Sequence, residues 1–160
     1  MSTATTPSTA TADDLPRLKT LRVATTWEGR QSARHRVRSF EVRTGEPERV
    51  GGDDSAPTPM ELILAGLDGC LAVVVETVAA ERGVPLRSLE LSSEAVMDQR
   101  GFAGVPGVRP YYTTIRTRVV LDAGPGGVAA LRDEVQRRCP ALGLVRAADV
   151  DVELSWEEAR

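Results

Sequence analysis

The side chains that can do chemistry in this 160-residue chain are few: two cysteines, Cys70 and Cys139, and a single histidine, His35. A zinc site made of Cys and His normally takes four such ligands, and a disulfide scaffold takes several pairs, so neither class fits. A serine-based relay has only His35 as its base, and no Gly-x-Ser-x-Gly turn exposes a serine. Flanked by Arg34 and Arg36, His35 reads as a surface residue of a hairpin. Gly51-Gly52 and Gly124 to Gly127 lack the glycine spacing and the lysine of a phosphate-binding loop, and read as turns. Asp53-Asp54 and the trio Asp149, Asp151 and Glu153 read as solvated loop and strand faces. Asp68 differs, because a carboxylate inside an apolar helix needs a hydrogen-bond partner or a place at the rim.

The cysteines sit in contrasting settings. Cys70 falls on the apolar face of an expected helix, where a thiol also serves as a small hydrophobe. Cys139 precedes Pro140 at a helix end, with Arg137, Arg138 and Arg146 nearby in sequence, and cationic neighbours stabilise a thiolate. Were the two to meet, the pair would support oxidation of a thiolate to sulfenic acid and then to a disulfide, the chemistry of a peroxide-reducing enzyme. Spacing alone leaves packing and redox chemistry both open.

Seven elements are expected to position these residues. Leu21, Val23, Thr25 and Trp27 alternate with polar neighbours and predict a strand, with Gly29 to Ser32 as hairpin loop and Arg34 to Arg43 as a second strand. Thr58, Pro59 and Glu61 form a capping box with proline at the first helical position, and Gly83 and Pro85 mark the end of the helix they open. Met60, Leu64, Leu67, Leu71, Val74 and Val78 line one face of it. Ile63, Cys70, Val73 and Thr77 form a second row, so its apolar surface is too wide for one sheet to cover. Strands follow over Leu89 to Met97 and Tyr111 to Leu121, the latter with Tyr111, Thr113 and Ile115 in its apolar row. A helix from Val128 to about Cys139 and a strand over Val150 to Trp156 complete the order β-β-α-β-β-α-β, an α+β class. Residues 1–16 are expected to form a disordered tail, and 17–160 one domain.

Twenty basic residues against 23 acidic ones, a net charge of −3, argue against a nucleic-acid binder. The N-terminus lacks the basic and apolar regions of a secretory signal, and Asp68 and Glu76 interrupt the long apolar run, so a cytoplasmic protein with no membrane span is expected.

The run Pro57-Thr58-Pro59-Met60-Glu61-Leu62-Ile63-Leu64-Ala65-Gly66-Leu67-Asp68-Gly69-Cys70, then Asp98-Gln99-Arg100-Gly101 and Arg138-Cys139-Pro140, resembles the OsmC/Ohr family, the osmotically inducible and organic hydroperoxide resistance proteins. The resemblance spans about Leu18 to Glu157. It implies an intertwined homodimer with antiparallel sheets around long central helices and active sites at the subunit interface. It also implies Cys70 as the thiolate that attacks an organic hydroperoxide and Cys139 as the resolving thiol, with reduction by an external dithiol such as a lipoyl group. No bound cofactor or metal is implied. The best-known branch has a Pro-Glu step ten residues before its first cysteine, the Glu orienting a catalytic arginine. This chain has Met60 there and Glu61 one position later, where Glu61 serves equally as a helix cap. Arg30 is the nearest match for the arginine, with Arg34 as competitor. The Pro-Met-Glu-Leu form is closer to the OsmC-like branch, and an OsmC-like dimer that binds a small molecule without peroxidase turnover is the alternative function.

Overall fold

The computed structural model describes residues 16–159, so the expected tail, apart from Pro16, lies outside the described residues. The chain divides into two compact units, the first ending at Ala56 and the second running from Pro57.

The first unit is an antiparallel meander of β1 (Ala24–Gly29), β2 (Ser32–Val37) and β3 (Phe40–Thr44). The hairpin loop expected at Gly29 to Ser32 is present. Its central residues Arg30 and Gln31 both have positive φ, 45° and 58°, the hand that matches the twist of paired strands. The second expected strand is two strands. Arg38, at φ 58°, opens another tight turn between Val37 and Phe40, which the arginine-rich pattern concealed. His35 is tied into the sheet, one ring nitrogen 3.0 Å from the Thr25 hydroxyl and the other 2.9 Å from that of Thr44.

The second unit packs helices on one face of a three-stranded sheet. Its long helix α1 (Pro59–Glu81) opens with the expected capping box: the Thr58 hydroxyl accepts from the Glu61 N–H at 3.2 Å, and the Glu61 carboxylate accepts from the Thr58 N–H at 2.7 Å. The sheet runs β4 (Ser88–Met97), β5 (Tyr112–Asp122), β6 (Asp151–Glu158), with β5 in the centre. Leu89, Leu91, Ile115, Val119, Leu121 and Leu154 point to the core that α1 shares. The opposite face is charged, with Arg116 paired to Glu153 and Arg118 to Glu157.

Four features of this unit differ from the sequence reading. The loop after β4 carries a one-turn helix α2 (Gln99–Phe102), capped by Asp98. A bulge opposite Val96 and Met97 leaves Thr113 unpaired, so Tyr112 rather than Tyr111 faces inward. Tyr112 is buried and its hydroxyl donates to the Met60 carbonyl, tying β5 to the first turn of α1, while Tyr111 stays exposed. Finally, β6 runs parallel to β5, because the segment between them is a helical crossover long enough to return the chain to the same end of the sheet. That crossover is two helices, α3 (Gly127–Arg138) and α4 (Pro140–Ala147), where one was expected.

By length and composition α1 is apolar enough to cross a membrane, and here it is the core helix of the unit. Leu67, Leu71, Val75 and Val78 are buried, whereas Ile63 and Val73 on its far side are 52% and 63% exposed.

Candidate thiol site

Cys139 occupies the joint between α3 and α4. Pro140 disfavours helical geometry at the residue before it, and Cys139 takes φ −70° and ψ 112°, ending α3 and serving as N-cap of α4 with proline at the first helical position. The proline therefore starts a helix as well as stopping one. Both halves of the joint pack on α1, which brings Cys139 beside Cys70. The two thiols are free; Cys139 is buried at 2% exposure and Cys70 is half-buried.

Burial is the main reason that the Cys139 thiol holds its proton more tightly than an ordinary cysteine, and a hydrogen bond with the Cys70 side chain and the charge of that side chain act in the same direction. The backbone N–H groups of Leu142 and Ala141, at the start of α4, oppose this in part. The arginines expected to stabilise a Cys139 thiolate are engaged elsewhere. Arg137 pairs with Glu134, Arg138 with Glu81 and Glu134, and Arg146 donates to Gln136 at 3.0 Å. Carboxylates claim two of the charges that sequence proximity assigned to sulfur, and an amide oxygen takes the third.

The other two candidates, Glu61 and Arg30, have partners of their own. Glu61 lies nine residues before Cys70 on α1, roughly 13 Å along the helix axis, beyond side-chain contact within one helix. Arg30 belongs to the first unit, where it donates to the Gly52 carbonyl at 3.2 Å and its charge helps hold the Asp53 carboxyl below the usual range, behind the larger effect of the Ser55 hydroxyl. Arg34 is paired with Glu28 at 3.0 Å and lies 3.9 Å from Glu41. Among the described residues no group of three His, Cys, Asp or Glu side chains is arranged to hold a metal ion.

Sequence reasoning flagged Asp68 and left its partner unnamed. It accepts from the Ser93 hydroxyl at 2.5 Å, and Ser93 in turn shares a 2.7 Å hydrogen bond with the buried Thr117 hydroxyl. Ser93 and Thr117 are directly opposite one another on β4 and β5, a pairing that the strand alternation implies only once the register is known.

The second unit is thus an α+β fold with a long core helix and a buried thiol set against a half-exposed one. The chain belongs to the OsmC-like protein family, whose model matches residues 52–155. Solved structures of the same fold include an OsmC-like protein from Mycoplasma pneumoniae (14% identity over 89% of this chain and 99% of that one, TM-score 0.74). They also include an organic hydroperoxide resistance protein OsmC from Legionella pneumophila (20% identity, 89% and 99% coverage, TM-score 0.69). A third is an organic hydroperoxide resistance protein from Elizabethkingia anophelis (15% identity, 91% and 100% coverage, TM-score 0.69). A search of curated proteins finds no match to the chain.

Proposed function

We propose that the protein is a cysteine-based peroxidase that reduces organic hydroperoxides, acting in the cytoplasm as a homodimer and recharged by an external dithiol, a lipoyl group being the class we favour. The observation that carries this reading is the asymmetry of the thiol pair: Cys70 is within reach of solvent, and its neighbour Cys139 is buried and holds its proton more tightly than an ordinary cysteine. In the first step the Cys70 thiolate attacks the terminal peroxide oxygen and the O–O bond breaks. The alkoxide leaves as alcohol after taking a proton, and Cys70 becomes a sulfenic acid. Cys139 then attacks the Cys70 sulfur; the new S–S bond expels hydroxide, and the proton that Cys139 carried completes a water molecule. Two thiols of the reductant restore the pair by successive exchange, attacking first at the more accessible sulfur.

Arg30 is proposed to orient the hydroperoxide and Glu61 to steady that arginine. With roughly 13 Å between Glu61 and Cys70 along one helix, we assign Glu61 and its arginine to the thiol of a second copy. The exposed apolar side of α1 supports such a partner, because Ile63 and Val73 would otherwise face water on a helix with few polar residues.

The test is to mix reduced protein with one equivalent of an organic hydroperoxide and map thiols by mass spectrometry. A Cys70–Cys139 bridge within seconds is expected, with turnover abolished in Cys70→Ser. Two thiols still free after minutes, or undiminished turnover in Cys70→Ser, overturns the proposal in favour of a dimer that only binds a small ligand.

A further inference from the structure

The apolar surface of α1 poses a problem of alignment. From Leu62 to Val75 every residue except Gly66, Asp68 and Gly69 is apolar, so turning the helix by one residue exchanges one set of buried hydrophobes for another. Hydrophobic burial is non-directional and discriminates poorly between such settings. A turn of 100° nevertheless moves each Cα by about 3.5 Å on a 2.3 Å radius, which is enough to take Cys70 away from Cys139.

Asp68 is the one charged side chain in that stretch, and it is held by one donor at the helix–sheet interface. The chain of hydroxyls behind it is fixed to the backbone of two paired strands: Thr117 is 2% exposed, Ser93 is directly opposite it, and Ser93 reaches up to the carboxylate. A rotation that turns Asp68 toward the core sets its carboxylate among apolar side chains, and a rotation either way takes from Ser93 the carboxylate that accepts its proton, leaving it Thr117 alone. Cys70 lies two residues on, about 200° round the helix, on the side that packs against α3 and α4.

We infer that the Asp68–Ser93–Thr117 network is a rotational lock that aligns Cys70 with Cys139, and that Asp68 is thereby a positioning residue for disulfide closure. A buried polar contact used to fix register between otherwise interchangeable apolar surfaces is the best-attested role for such groups. The lock concerns geometry and holds whichever oxidant the protein meets.

Diamide provides a test independent of peroxide. The Cys70 thiolate adds to its N=N bond, and Cys139 then displaces the adduct, forming the S–S bond and releasing the hydrazine. Closure is followed by loss of free thiols, with the urea midpoint measured on the same variants. Asp68→Leu is expected to keep or raise the midpoint while slowing closure roughly tenfold or more, the order of penalty that follows a misplacement of reacting atoms by an ångström. Asp68→Asn retains the oxygen that accepts from Ser93 and is expected to close at close to the wild-type rate. Closure of folded Asp68→Leu at the wild-type rate overturns the inference. Should that variant fail to fold, Ser93→Ala is read in the same way, and an unslowed rate there overturns it too. Fast closure with diamide but none with hydroperoxide leaves the lock standing and removes the peroxidase reading.

Discussion

Cys139 keeps its proton chiefly because it is buried, and the sign of its pH dependence follows from that. The folded thiol ionises at a higher pH than the ordinary cysteine value of about 8.5 that the unfolded chain approaches. Its contribution to stability is therefore fully present below that value and is lost as pH rises through the folded one, since the folded state then binds more protons than the unfolded state. In a Cys70→Ser background, where Cys139 is the only thiol, ultraviolet titration of the thiolate is expected to place its ionisation above that of a free cysteine. Urea unfolding is expected to show an alkaline loss of stability that Cys139→Ser reduces. The same burial suits a resolving thiol, which is not required to be a strong nucleophile while it waits and which delivers a proton when it reacts.

Among the elements, those with local determinants were legible in the sequence and those with distant ones were not. The capping box at Thr58 and Glu61 and the alternation of Ile115 to Leu121 depend on neighbours in the chain, and both appear where the residues indicate. The bulge at Thr113, the parallel course of β6 and the contact between Cys70 and Cys139 depend on residues far away in sequence. Pro140 was ambiguous for a physical reason, because the missing N–H that ends one helix is harmless at the first position of another. The loop after β4 has a tighter requirement, set by the close approach of its two ends. A Cβ on Gly101 would stand 2.3 Å from the Arg109 carbonyl oxygen, a backbone atom that cannot swing aside. Gly101→Ala is therefore expected to destabilise this unit by about 1–3 kcal/mol, the usual scale for overpacking, measured as a lower urea midpoint with unchanged slope.

For the molecule as a whole, the exposed side of α1 is the feature that a single copy leaves unresolved. Val73 stands 63% exposed on it, and the homodimer proposed above would require it to be covered. Val73→Glu is expected to shift the mass measured by light scattering from dimer to monomer, because an unpaired carboxylate in an apolar contact is costly; a wild-type chain that is already monomeric would disprove the dimer. The crossover that makes β6 parallel has a consequence in time. The ribosome makes β5 before α3 and α4 and reaches β6 roughly 30 residues later, on the order of a few seconds of synthesis. Throughout that interval the Thr114–Leu121 edge, later hydrogen-bonded to β6, stands open, with Ile115, Val119 and Leu121 along it. Such an edge invites pairing with the same edge of another nascent chain. Pairing with β6 closes that edge and gives Arg116 and Arg118, which already face Glu94 and Glu90 of β4, a second set of carboxylates in Glu153 and Glu157, contacts that the β5 edge of another growing chain does not offer.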